Sequence, residues 1–179
     1  EMKGYMMKKV DNIILIGFMG SGKTTVGKLL AKNLAFDFLD TDEMIEAEEA
    51  MTVQHIFSTH GEEKFRELET SLLLSISNSL ENSVLSTGGG MPIKEINIKL
   101  LKAMGKIIYL RTSIDTIIDR VSGDTNRPLL KGNNLKESVE RLLDSRLTYY
   151  EDAADIIIDT DGFEVKEIVD KILMTLKDK

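Results

Sequence analysis

Residues 17–24 read Gly17-Phe18-Met19-Gly20-Ser21-Gly22-Lys23-Thr24, with the spacing G-x-x-x-x-G-K-[ST] of a phosphate-binding loop. Each residue type has a chemical reason. Glycines let backbone N–H groups crowd a polyphosphate, because no Cβ blocks the approach. Lys23 supplies a point charge for the terminal phosphates, and the Thr24 hydroxyl is a ligand suited to Mg2+. The loop opens a helix whose N-terminal partial charge favours the anion. Upstream, Val10-Asp11-Asn12-Ile13-Ile14-Leu15-Ile16 is a short apolar run that reads as a fully buried strand. Downstream, Val26, Leu29, Leu30 and Leu34 fall at helical spacing. Strand, glycine loop and helix in that order separate a phosphate loop from a glycine-rich turn that binds nothing.

Further strands are expected at Phe36–Leu39, Ser83–Ser86, Lys106–Leu110 and Asp155–Ile158. Helical patterns lie between them. Phe65, Leu68, Leu72, Leu73 and Ile76 mark one apolar face, and Ile96, Leu100 and Leu101 another. Ile114, Ile117, Ile118 and Val121 mark a third, with Ser113 as its N-cap. Asn134 and Glu137 suit a capping box at the start of a helix over Leu135–Tyr150, and Phe163, Ile168 and Ile172 pattern a closing helix. Alternation of strands and helices predicts an α/β three-layer sandwich, a parallel sheet covered by helices on both faces. Ligands then bind beyond the C-terminal strand ends, where the strand order switches. Residues 122–133 are polar, turn-rich and aperiodic, and a loop of that length beside a nucleotide site reads as a lid.

The bulk properties narrow the class. The chain has 179 residues, 42% hydrophobic and 30% charged, enough for one globular domain with a substantial core. A formal net charge of −7 argues against a nucleic-acid partner held by overall positive charge. There are no cysteines, so disulfides and thiolate metal sites are excluded. No apolar stretch approaches membrane-spanning length, so no membrane partner is expected. Residues 1–7, with three methionines, read as an extension outside the fold.

Several residues suit chemistry at such a site. Asp40-Thr41-Asp42 follows the second strand directly. One carboxylate suits Mg2+ through water and the other suits a substrate hydroxyl proton; the same pair also suits a helix N-terminus. Arg66 lies beside the apolar face of its helix, with Glu69 three residues on to hold its guanidinium, although a lone helix arginine is commonly a solvated charge. Gly88-Gly89-Gly90 ends a strand and would bare N–H groups to a closely approaching substrate, or form a flexible turn. Arg127, in the lid before Pro128, is placed to swing onto transferring phosphates; Arg120 and Arg146 are further candidates. His55 and His60 show no metal-ligand spacing.

In this order the pieces resemble the shikimate kinase family, over nearly the whole chain after Met7. The resemblance rests on Gly17–Thr24 with Val26-Gly27, Phe38-Leu39-Asp40-Thr41-Asp42, Ile56-Phe57, Gly61-Glu62, Phe65-Arg66, Glu69, Leu85–Gly90, Thr125–Leu130, and Arg146 through Tyr150 to Ala154. Thr148 stands where the family often has proline. The resemblance implies ATP-dependent phosphorylation of the shikimate 3-hydroxyl, in aromatic amino acid biosynthesis, by a cytoplasmic monomer. It implies one domain over residues 8–179, with a fold like the nucleoside monophosphate kinases. That fold has a five-stranded parallel sheet, a substrate-binding segment at about 41–70 and a lid at about 122–134. It further implies that Gly20, Ser21, Gly22, Lys23, Thr24, Thr25, Arg120 and Arg127 contact the nucleotide, with Arg120 stacking on adenine. Thr24 and, through water, Asp40 would hold Mg2+. Asp42 would take the substrate hydroxyl as base, Arg66 and Arg146 the carboxylate, and Gly88, Gly89 and Gly90 would line the substrate. Lys23 and Arg127 would stabilise the transferring phosphoryl. A gluconate kinase of the same fold is the nearest rival, disfavoured by Arg66, Arg146 and the glycine triplet. A nucleotide-dependent switch would need a base-reading motif such as N-K-x-D, and the chain has none.

Overall fold

The computed structural model describes residues 12–122 and 134–178. Arg127, most of the expected lid and residues 1–7 lie outside them. In chain order the elements are β1 (Asn12–Ile16), α1 (Lys23–Leu34), β2 (Asp37–Asp40), α2 (Thr41–Glu49), α3 (Val53–Ile76), β3 (Ser83–Ser86) and α4 (Glu95–Met104). There follow β4 (Gly105–Arg111), α5 (Ile114–Val121), α6 (Leu135–Ala153), β5 (Ile156–Asp159) and α7 (Val165–Lys177). A short 3-10 turn, Met91–Ile93, precedes α4.

The strands form one parallel sheet in the order β2-β3-β1-β4-β5. Every residue of β1 is buried, which is why Ile13–Ile16 form an apolar run rather than an alternating pattern. Ile14 and Ile16 pack on the face covered by α4, α5 and α6, together with Met104, Ile117, Val139 and Tyr150. Ile13 and Leu15 face α1 and α7, against Val26, Leu30, Ile168 and Ile172. A smaller cluster, Ile45, Ile56, Phe65 and Leu72, ties α2 to α3. The expected three layers are therefore present. No helix among the described residues is long and apolar enough to cross a membrane.

Polar side chains set the entrance and exit of the sheet. At the start of β1, Asn12 Nδ2 donates to Leu80 O at 2.8 Å and Met104 O at 3.0 Å, while Oδ1 accepts from Ser83 N at 3.0 Å. One buried amide thus locks β1 to the segments leading into β3 and β4. From β1 the chain winds to β2 and β3 on one side, then crosses over to β4 and β5 on the other. The resulting crevice lies at the C-terminal end of β1.

Two helix faces differ from expectation. In α4 the buried positions are Asn97, Leu101 and Met104, whereas Ile96 is exposed. Asn97 earns its place with its amide, accepting from Thr70 Oγ1 at 2.8 Å and donating to Met91 O at 3.0 Å. Phe163 lies outside α7 and is 40% exposed, with the Lys171 ammonium over its ring.

The interface between α1 and the sheet makes a testable demand on Gly27. A Cβ there would lie 2.6 Å from Phe38 Cε2 and 3.1 Å from Leu15 Cδ1. Replacing a helical glycine with alanine ordinarily gains about 1 kcal/mol. Overpacking a closed contact costs about 1–3 kcal/mol, so Gly27→Ala is expected to lose about 1 kcal/mol net. Urea unfolding measures it; a stabilised variant would mean that the Phe38 ring swings aside freely.

Candidate active site

The loop between β1 and α1 takes its shape from glycine. Gly20 and Gly22 have φ of +76° and +90°, a region that residues with a Cβ rarely adopt. Ser21 N donates to Phe18 O at 3.1 Å, closing the turn, and Gly22 caps α1. Lys23 Nζ donates to Gly17 O at 2.8 Å and Phe18 O at 3.0 Å, which holds the ammonium along the loop. Arg120, at the end of α5, donates to Gly20 O at 2.8 Å from the other side. The loop encloses one side of a cavity of about 220 Å³, lined by Gly20, Gly22, Lys23, Thr24 and Thr25. Asp40, Asp42, Ser86, Thr87, Gly88 and Gly89 form the opposing wall. Donor-half and acceptor-half candidates thus share one space.

Asp40 is the N-cap of α2. Its Oδ1 accepts from Asp42 N at 2.9 Å and Glu43 N at 3.2 Å, and the residue also borders the cavity. Capping and facing a ligand are therefore compatible. Asp42 follows in the first turn of α2, and its Oδ1 is buried without a hydrogen-bond partner. Burial pushes the Asp42 carboxyl up to about 6, with Asp40 adding to the rise and Lys23 and Arg66 opposing it.

Arg66 follows a break in α3, where Gly61 takes φ +83° and ψ 172°. It is 8% exposed, not a solvated helix charge. Nη1 donates to Glu69 Oε2 at 2.8 Å and Nη2 to Glu62 Oε1 at 3.2 Å. Burial opposes the Arg66 charge, but Glu69 and Glu62 outweigh it and hold the pKa above its usual range. Glu69 is fully buried, its Oε1 has no hydrogen-bond partner, and burial raises its carboxyl despite the pull of Arg66.

Arg146 sits in α6 on the stripe Val139, Leu143, Arg146, Tyr150 and Ala153, all buried. An arginine at an apolar-stripe position is the sequence signal for its burial, and periodicity could have found it. Arg146 is 2% exposed, lies over the Phe18 ring at 5.7 Å, and its Nε has no hydrogen-bond partner. It makes no ion pair with any carboxylate among the described residues.

The glycine triplet is where these groups meet, and for a reason other than backbone flexibility. A Cβ on Gly88 would lie 2.8 Å from Asp42 Oδ1 and 2.9 Å from Glu69 Oε1. On Gly89 it would lie 3.2 Å from Arg146 Nη1, and on Gly90 it would overlap the Arg66 guanidinium. Thr41, which sequence reasoning passed over, receives the Gly88 N–H on its Oγ1 at 2.9 Å. No spacing or composition rule marks that threonine. The N–H groups of Gly89 and Gly90 donate to no group among the described residues.

The same pattern recurs in known proteins. A family profile described as shikimate kinase matches residues 19–177. A shikimate kinase of Thermodesulfovibrio yellowstonii is 46% identical over 164 residues, covering 92% of this chain and 94% of the relative. Among solved structures, a shikimate kinase from Acinetobacter baumannii in complex with shikimate superposes with a TM-score of 0.90 at 38% identity, covering 95% of each chain. A gluconokinase from Sinorhizobium meliloti superposes with a TM-score of 0.58 at 16% identity, a likeness of fold alone. Identity of this order across almost the full length of both chains, on a site built as described, means that the chain belongs to the shikimate kinase family.

Proposed function

We propose that this protein transfers the γ-phosphoryl group of ATP to the 3-hydroxyl of shikimate, releasing ADP and shikimate 3-phosphate. The observation that carries the acceptor assignment is Arg146, a buried guanidinium with no ion-pair partner among the described residues. Buried charges are paired, so the site wants an anion. Beside it, Asp42 Oδ1 and Glu69 Oε1 are buried acceptors without donors. An unpaired cation next to unpaired acceptors is the complement of a carboxylic acid that carries hydroxyls.

In this reading Arg66 and Arg146 grip the substrate carboxylate, a task for which the planar guanidinium fork suits better than an ammonium. The free N–H groups of Gly89 and Gly90 add contacts to the same substrate, and Gly88 leaves it room beside Asp42. The 3-hydroxyl faces Asp42. As its oxygen bonds to the γ-phosphorus, the bond from that phosphorus to the β–γ bridging oxygen breaks, and the proton passes to the Asp42 carboxylate. Lys23 leaves the loop carbonyls to stabilise charge on the phosphoryl oxygens. Gly20, Ser21, Gly22 and Thr25 cradle the phosphates, and Arg120 borders the adenine side. Arg127, outside the described residues, is assigned to the transferring phosphoryl.

Thr24 and Asp40 fit Mg2+. Both bring oxygen to the cavity wall beside Lys23, and an ion that keeps most of its waters and takes phosphate oxygens needs few protein ligands. When bound, that ion supplies charge neutralisation on the phosphates.

Three expectations follow. Arg66→Lys should raise the shikimate KM by about tenfold or more while sparing ATP affinity, because it removes the forked contact. Steady-state kinetics with each substrate varied decides; equal damage to both would refute the carboxylate role. Asp42→Asn should lower kcat by about two to four orders of magnitude if Asp42 is the base. In the parent enzyme kcat/KM should fall as pH drops through about 6, where Asp42 takes its proton.

The same substitution should act on stability with the opposite sign. A folded pKa of about 6 against the ordinary 3.8 favours the protonated folded form. That contribution is complete below pH 4 and is lost as pH rises through 6, a deficit of about 3 kcal/mol at pH 8. Asp42→Asn should therefore stabilise the fold by about 1–3 kcal/mol at pH 8 and not at pH 4, read by denaturant unfolding at both values. An equal gain at both pH values would show that ionisation is not the cause.

A further inference from the structure

We infer that Tyr150 is a positioning residue of the acceptor site, its hydroxyl fixing the Gly89 peptide and the Arg146 guanidinium relative to each other. The inference rests on the reading of Arg146 as a carboxylate ligand.

Tyr150 lies four residues after Arg146 in α6, so both side chains leave the same helix face. Its side chain is fully buried. The hydroxyl donates to Gly89 O at 2.6 Å, joining α6 to the glycine turn across 61 positions of chain. Its ring packs on Tyr109 of β4, with centroids 5.1 Å apart and planes at 35°. Tyr109 is itself 2% exposed, so the Tyr150 ring has no room to pivot. The same glycine borders Arg146, whose Nη1 lies 3.2 Å from where a Gly89 Cβ would stand, so hydroxyl and guanidinium meet at one peptide. One hydroxyl therefore gives its proton to the Gly89 carbonyl and holds in place the peptide against which Arg146 packs.

The arrangement matters because Arg146 has little else to hold it. Phe18 supports one side of the guanidinium, Gly89 leaves space for the other, and Nε is unpartnered. With Glu62 and Glu69, Arg66 has two carboxylates fixing its fork; Arg146 has a phenol instead. The Glu69 carboxyl is near enough to feel the Arg146 charge but makes no ion pair with it among the described residues, so the guanidinium remains available to a substrate anion.

Tyr150→Phe keeps the ring and removes the oxygen. Shikimate KM should rise about tenfold, with kcat falling much less and ATP KM held within about twofold, since the loss is of a buried hydrogen bond serving substrate binding. In an Arg146→Ala background the same change should add less than about twofold to shikimate KM, because its effect passes through Arg146. Calorimetric titration with shikimate reads affinity on folded protein, and thermal unfolding reports the fold separately. If Arg146→Ala weakens shikimate and Tyr150→Phe does not, the role of Tyr150 is refuted and the carboxylate reading stands. If Arg146→Ala leaves shikimate affinity unchanged, the carboxylate reading itself fails. If Tyr150→Phe weakens both substrates equally, or lowers only the unfolding temperature, the hydroxyl serves the fold and not the site.

Discussion

The acceptor site depends on a steric constraint at residues 88–90. Asp42 and Glu69 come from α2 and α3, Arg66 from α3 and Arg146 from α6, and all of them converge on the turn that leaves β3. A Cβ at Gly88 or Gly90 would occupy space that a charged group already fills, and at Gly89 it would press on Arg146 at 3.2 Å. None of the three glycines has a positive φ, so the turn could be traced by other residues; what they could not do is leave the charges where they are. Removal of side chains from the turn is the condition for bringing cations and carboxylates within reach of one ligand.

Such a gathering is electrostatically uneasy. Burial raises the carboxyls of Asp42 and Glu69, and the nearby cations only partly reverse it. Arg66 is compensated within α3, whereas Arg146 makes no ion pair among the described residues. In the proposed function this surplus of unpaired polar groups would give selectivity, since a ligand lacking either the carboxylate or the hydroxyls leaves some of them bare. Sites of this kind hold less stability than an apolar replacement would give.

Much of this was legible from the chain, and the reasons differ by element. β1 and β4 read clearly because both faces of the sheet are covered and their apolar runs are continuous. The phosphate loop read clearly because positive φ at Gly20 and Gly22 leaves a sequence signature. The face of α4 was misjudged by one position because Asn97 is buried for its hydrogen bonds, and hydrophobic periodicity is blind to that. Phe163 was assigned to a helix face yet lies before α7, covered by Lys171 rather than by core. The glycine triplet stood out, but as a place where backbone meets substrate; its crowding by four side chains from distant segments is a tertiary fact. Thr41 and its bond to Gly88 carry no local pattern at all.

The bonds from Lys23 to the carbonyls of Gly17 and Phe18 bear on turnover. The ammonium already has carbonyl oxygens at hydrogen-bonding distance, and in the proposed function a nucleotide takes their place. The net gain on binding would then be the difference between two well-made sets of contacts. An enzyme that discards its spent nucleotide every cycle would be served by such an exchange, because the leaving product would hand the lysine back to an existing seat.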